Sequence, residues 1–211
     1  MSIVKPKPMI VGRPVVVVID LQKGSFMPNP NPNPNLALMP DTVERYLRSR
    51  VVVDAARAAG VPIVFFQEAH RADLIDFGRE LDGNEGYHCV EGRPGTPLAV
   101  EEMGILPTDY TITKRRYSCF FGTELEILLK GLKAETLILT GGFTDVCVHY
   151  TFVDAHQHDY HCRVVEDCVA GSSRAAHDAA LVAMEYLQWG ARRQSAEIVA
   201  AFAGLGAAAA Q

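Results

Sequence analysis

Residues 14–19 read PVVVVI, so every position after the proline is β-branched. Side chains branched at Cβ lose freedom in a helix and pack well on a pleated surface. An unbroken run of them leaves no polar face for water, which suits a strand covered on both sides inside a parallel sheet. Such a strand needs helices above and below it. The next periodic stretch supplies one. Asp41, followed by Glu44, is a variant capping box; Val43, Leu47, Val51, Ala55 and Ala58 recur at helical spacing, and Gly60 ends the run. Residues 61–67, VPIVFFQ, then read as a second strand. Strand, helix and strand in that order make a βαβ unit, for which a parallel pair and a right-handed crossover are expected.

The alternation continues along the chain. Residues 110–113 suit a short third strand, and Thr123 with Glu126 caps a helix over 124–130 stopped by Gly131. Residues 136–139 suit a buried fourth strand and residues 163–165 a fifth. Ser172 or Ser173 caps a long helix that turns Ala176, Ala180, Ala183, Met184 and Leu187 inward. A last strand over 191–194 precedes a short helix from Ser195 and an alanine tail. The fold class expected is α/β: a doubly wound, mainly parallel six-stranded sheet with helices on both faces, in one domain covering residues 1–211. With 211 residues and 48% hydrophobic content the chain can bury one good core.

Charge and cysteine usage exclude several functions. The 20 basic and 25 acidic residues form no basic stripe, which argues against nucleic acid as partner. Five cysteines without framework spacing suit a reducing compartment. MSIVKPKPMI lacks the apolar core of a signal peptide, and no run is long enough to cross a bilayer, so a cytoplasmic protein is expected. Residues 28–35 alternate proline and asparagine, as an extended loop would. Residues 68–109 are rich in glycine, proline and charge, and so long a connection suggests a binding loop.

Three strand ends carry chemistry. Asp20 follows the first strand and Lys114 the third. Cys147 follows the fourth, within TGGFTDVCVHYT. Ligands of open α/β sheets bind at that edge. Thr144 and Asp145 offer helix N-caps ahead of Cys147, so its thiolate would lie near unpaired N–H groups and its pKa should fall. Those N–H groups would also hold an oxyanion. A buried structural cysteine is the alternative. His149, His156, His158 and His161 lie along or beyond one helix and suit a solvated or interface face better than a metal site.

The windows VVVIDLQKGSF, TKRRYSCFFGTELE and ILTGGFTDVCVHYT resemble the isochorismatase-like cysteine hydrolases, over about residues 14–195. The resemblance implies a three-layer Rossmann-like fold and a triad: Asp20 as general base, Lys114 as orienting cation and Cys147 as nucleophile. It implies a cis peptide between Gly142 and Phe143, and an oxyanion hole from the N–H groups of Phe143 and Cys147. Many relatives carry a smaller residue where Phe143 stands. The implied reaction is acyl transfer through a thioester, with no cofactor, in a homo-oligomer, dimer or tetramer.

Members that cleave isochorismate lack the cysteine, so Cys147 favours amide or ureido chemistry. Nicotinamidase-like members carry a metal at Asp-x-His and a later histidine. Here Glu68-Ala69-His70 and His88 match in part, with glutamate for aspartate; loop histidines without metal are the alternative. EAHRAD resembles the E-G-H-R-x-D stretch of biuret and N-carbamoyl amidohydrolases, which points to a small linear amide or ureido substrate. Gln22, Phe26, His70, Arg71 and Tyr117 are its candidate binding residues, with Arg93, Arg115 and Arg116 for a carboxylate. A non-catalytic protein on the same fold, or a redox protein pairing Cys147 with Cys119, are readings from other classes.

Overall fold

The computed structural model describes residues 8–28 and 38–209, with side chains through residue 205. All but the first residue of the proline–asparagine run, and most of the segment examined for a signal peptide, lie outside the described residues.

Six strands form one sheet: β1 (Pro14–Ile19), β2 (Ile63–Glu68), β3 (Tyr110–Lys114), β4 (Thr136–Gly142), β5 (His161–Ala170) and β6 (Arg192–Arg193). Their order is β3-β2-β1-β4-β5-β6, and every pairing is parallel. The helices are α1 (Thr42–Ala58), α2 (Val100–Met103), α3 (Leu125–Leu132), α4 (His149–Gln157), α5 (Arg174–Leu187) and α6 (Ser195–Ala209). The fold is therefore doubly wound. Val15, Val17 and Ile19 pack in one core with Leu129 of α3, Phe152 of α4 and Leu181 of α5. Val16 and Val18 pack in the other with Val52 of α1, Met103 of α2 and Phe202 of α6. Successive strand residues point to opposite faces, which is why a run with no polar position was needed.

Strand order reverses between β1 and β4, and a crevice opens there at the C-terminal edge. The crossing is close. Ile19 pairs with Gly141, whose φ is +110°, and a Cβ on Gly141 would come within 2.0 Å of the Ile19 carbonyl oxygen. Only glycine serves at that position.

Several local expectations are corrected by tertiary contacts. Asp41 has φ 65° and makes no capping bond; the Thr42 hydroxyl donates to the Met39 carbonyl instead. The buried face of α1 is Thr42, Tyr46, Ser49, Val52, Val53 and Ala56, while Leu47 and Val51 are 43% and 52% exposed. The helix is rotated from the expected apolar stripe so that Tyr46 faces the crevice. Glu126 does not close a capping box, because its carboxylate pairs with Lys130 and His158; α3 runs through Gly131 to Leu132. In α5 the Ser173 hydroxyl accepts from the Ala176 N–H, but the buried stripe is His177, Ala180, Leu181 and Met184, with Leu187 exposed. α6 is longer than the short helix expected and takes in the alanines up to residue 209.

Candidate active site

Four strand ends deliver side chains to the crevice. Asp20 directly follows β1 and adopts φ 55°, a left-handed conformation that aspartate tolerates better than most residues and that turns the chain at the strand end. Glu68 is the last residue of β2 and Lys114 the last of β3. Cys147 lies in a π-helical turn, Thr144–Val148, which leads from β4 into α4. These groups meet around one buried ammonium. Lys114 Nζ lies 2.8 Å from Asp20 Oδ2 and 3.4 Å from Glu68 Oε2, and it donates to Cys147 Sγ at 3.3 Å. Lys114 is 0% exposed, so its charge is tolerable only because the carboxylates of Asp20 and Glu68 flank it. Glu68 Oε2 also lies 4.0 Å from Cys147 Sγ.

The electrostatics follow from burial and from that cluster. Burial pushes the Asp20 carboxyl up to about 7; Lys114 pulls it down and Glu68 adds to the rise. Burial alone would raise Glu68, but Lys114, His70 and His88 hold it well below the usual carboxylate range. Lys114 is held well above the usual lysine range, because Asp20, Cys147 and Glu68 outweigh its desolvation. For Cys147 the direction is opposite to the sequence expectation. Burial lifts the thiol well above its usual range, Lys114 opposes this, and Glu68 and Asp20 reinforce it. The expected N-caps are spent elsewhere: Thr144 Oγ1 bonds His177 Nδ1 at 2.8 Å, and Asp145 accepts from the Ser172 N–H and hydroxyl. The sulfur therefore rests as a thiol beside a carboxylate that titrates near neutrality.

The peptide between Gly142 and Phe143 is cis. Gly142 faces Tyr46 of α1, and a Cβ on Gly142 would meet the Tyr46 oxygen at 1.9 Å. Burial raises the Tyr46 phenol, so it stays protonated. A cavity of about 800 Å³ opens above these groups and is lined by Asp20, Tyr46, Glu68, Phe143 and Cys147 among others.

The residues expected to bind substrate separate into three groups. Tyr117 lines the cavity, its hydroxyl donating to Glu85 at 3.1 Å. Gln22 also lines it, yet its amide is committed to backbone: Nε2 donates to the carbonyls of Glu68 and Thr96, and Oε1 accepts from the Glu68 N–H. Phe26, His70 and Arg71 do not line it. Phe26 packs against the α1-side core, His70 is fully buried behind Glu68, and Arg71 is exposed beside Asp73. Arg115 and Arg116 bind the backbone carbonyls of Ala69 and Asp76, leaving Arg93 as the arginine that lines the cavity. Cys119 is buried under Thr151, away from the lining, whereas Cys89 shares the cavity with Cys147.

Glu68, His70, Glu80 and His88 offer ligand atoms all within 4.8 Å of one another. His70 Nε2 lies 3.1 Å from Glu80 Oε2, and His88 Nε2 lies 3.7 Å from Glu68 Oε1. Both His70 nitrogens and both Glu80 oxygens are buried without a hydrogen bond, so this donor set fits a divalent cation. His149, His156, His158 and His161 form no such group among the described residues.

Glu80 and Tyr46 were absent from the sequence reading: Glu80 lies in a short 3-10 helix, Gly78–Asp82, within the connection after β2, and Tyr46 fell off the expected stripe of α1. Glu68, one residue beyond the expected end of β2, entered it only as a candidate metal ligand. The available signal was that a strand reading VPIVFFQE would bring its last carboxylate to the same edge as Asp20.

Comparison with known proteins agrees with this architecture. The family model described as the isochorismatase domain matches residues 14–197. The ureidoacrylate amidohydrolase RutB of Rhizobium rhizogenes is 33% identical over 132 residues, covering 54% of this chain and 53% of that protein. The chain thus spans about half the length of that curated relative. The crystal structure of N-carbamoylsarcosine amidase from Thermoplasma acidophilum superposes with a TM-score of 0.70 at 26% identity, covering 87% of this chain and 97% of the other. An isochorismatase-like hydrolase from Alkaliphilus metalliredigens gives a TM-score of 0.77 at 25% identity, covering 90% and 100%.

Proposed function

This chain belongs to the isochorismatase family, and we propose that it is a cysteine-dependent amidohydrolase cleaving an amide or ureido C–N bond through a thioester. The observation that carries the proposal is the Lys114 ammonium, 2.8 Å from Asp20 and 3.3 Å from Cys147, buried beneath the cavity that those two residues line. The names of two relatives, a ureidoacrylate amidohydrolase and an N-carbamoylsarcosine amidase, support the same bond class.

In this mechanism Asp20 takes the Cys147 proton as the sulfur attacks the carbonyl carbon, and Lys114 stabilises both anions. The N–H groups of Phe143 and Cys147 hold the oxyanion that forms. The intermediate collapses, the C–N bond breaks, and Asp20 hands its proton to the departing nitrogen, so ammonia leaves from a terminal amide. Water then gives a proton to Asp20 while its oxygen attacks the thioester carbon. The S–C bond breaks, the acid or carbamic acid departs, and the thiol is restored. A resting thiol paired with a base near pH 7 suits this scheme, since the proton moves only as the S–C bond forms.

The convergence of Glu68, His70, Glu80 and His88 favours a second reading, an amidase with a divalent cation held by those residues. A bound cation there would supply Lewis-acid polarisation of the carbonyl. In that reading Cys147 and Asp20 keep their roles and Glu68 serves both the cation and Lys114.

The test is ammonia release from primary amides, N-carbamoyl amino acids, biuret and nicotinamide, with and without chelator, by the wild type and Cys147→Ala. Release abolished by Cys147→Ala supports the proposal. A fully active Cys147→Ala enzyme, or no release from any of these substrates, rejects it.

A further inference from the structure

We propose that the substrate carries a bulky apolar group next to its ureido or amide bond and a carboxylate beyond that group, an inference that rests on the amidohydrolase reading. The cavity is about 800 Å³. Cavities of roughly 300–1,000 Å³ enclose drug-sized ligands, and a bare ureido group would fill only the floor. The walls above Cys147 are apolar: Met27, Leu38, Val90, Phe143, Val146 and the ring of Tyr117. Water over such walls is displaced favourably by hydrocarbon, so a small polar substrate would leave most of the available binding energy unused.

The charge distribution orients the ligand. The floor holds the carboxylates of Asp20 and Glu68, gathered on Lys114, and Glu85 stands beside Tyr117. An anionic end finds no uncommitted cation there, since Lys114 is paired with Asp20 and Glu68, and the His88 ring, which also lines the cavity, lies beside Glu68, Glu80 and Glu85. Arg93 also lines the cavity, is exposed, and makes no ion pair among the described residues. It stands at the mouth as a guanidinium able to take a carboxylate in bidentate fashion. A ligand with its carbonyl at Cys147 and its apolar body along the walls presents its far end there. Gln22 and Tyr117 spend their side-chain donors on Glu68, Thr96 and Glu85, so the apolar walls select by size and hydrophobicity rather than by a hydrogen-bond pattern.

The experiment compares para-(ureidomethyl)benzoate, N-carbamoylglycine and benzylurea as substrates in ammonia release. The first carries an aromatic ring next to its ureido group and a carboxylate beyond the ring. It should exceed N-carbamoylglycine in kcat/KM by at least about tenfold, from burial of the ring. Arg93→Gln should raise KM for para-(ureidomethyl)benzoate roughly tenfold more than for benzylurea, which lacks the carboxylate. N-carbamoylglycine turned over as well as or better than para-(ureidomethyl)benzoate overturns the inference while leaving the amidohydrolase reading intact. An equal KM change for both ring substrates overturns the role of Arg93. Calorimetric binding to Cys147→Ala reads the cavity without chemistry: tighter binding of para-(ureidomethyl)benzoate than of N-carbamoylglycine supports the inference, and equal or absent binding rejects it. No ammonia from any substrate rejects the amidohydrolase reading and the inference with it.

Discussion

If Asp20 is the base that accepts the Cys147 proton, kcat/KM must follow the ionised fraction of Asp20. Its carboxyl is pushed up to about 7 by burial, against Lys114. At pH 6 about a tenth of the molecules would carry the carboxylate and at pH 8 about nine-tenths, so kcat/KM should rise roughly tenfold between them, with unit slope at the acid end. Alkylation of Cys147 by iodoacetamide should follow the same limb, since the thiol itself lies well above its usual range and reacts as Asp20 removes its proton. Glu68 contributes to the rise of Asp20, so Glu68→Gln should move the limb toward acid. The same shift appears in stability. Asp20 binds its proton more tightly folded than unfolded, so its contribution is complete below its unfolded value near 3.8 and is lost as pH rises through about 7. That loss is at most about 4 kcal/mol from the size of the shift. Urea unfolding of Asp20→Asn should therefore depend less on pH between 4 and 8 than that of the wild type. A flat kcat/KM profile across pH 6–8, or an unshifted alkylation limb in Asp20→Asn, would refute the assignment of Asp20 as base.

Cys147→Ala should lower turnover by roughly 10⁴-fold or more with an unchanged circular dichroism spectrum. Lys114→Met removes a fully buried cation from two carboxylates and should destabilise the fold by about 3–5 kcal/mol, read as a lower urea midpoint at pH 8 and a smaller loss at pH 5. Gly142→Ala puts a methyl group against the Tyr46 hydroxyl and should cost about 1–3 kcal/mol, which Tyr46→Ala in the double variant should largely relieve in a thermodynamic cycle. Ammonia release should persist in a chelator, since Cys147 and Asp20 carry the proposed chemistry; activity lost to chelation and restored by zinc would instead favour the metal-assisted reading.

How far the sequence reveals this site depends on which interactions are local. The β-branched run of β1 declares a strand covered on both faces, and the edge rule for parallel sheets then brings Asp20, Lys114 and Cys147 to one rim. Tyr46 was hidden because Val43, Leu47 and Val51 make an equally good apolar repeat, and contact with β5 and α6, not periodicity, sets the rotation of α1. Capping failed for a similar reason. Asp145 and Glu126 each have a local capping bond to offer, but Ser172 takes the first carboxylate, and Lys130 on the same helix together with the distant His158 takes the second. The direction of the Cys147 shift is a property of enclosure, which spacing alone does not contain. Glu80 enters only through the folding of the long connection after β2, where His70 bridges to Val90.

The clamp made by Gln22 divides the molecule into two parts with different freedom to vary. Its amide grips Glu68 on one side and Thr96 on the other, binding the end of β2 and the returning arm of the 69–109 excursion to the first strand's exit. Asp20, Lys114 and Cys147 belong to the sheet edge, while Val90, Arg93 and Pro94 are carried by the excursion. New specificities can accordingly be grafted by rewriting that arm between its anchor points, with the chemistry beneath left untouched.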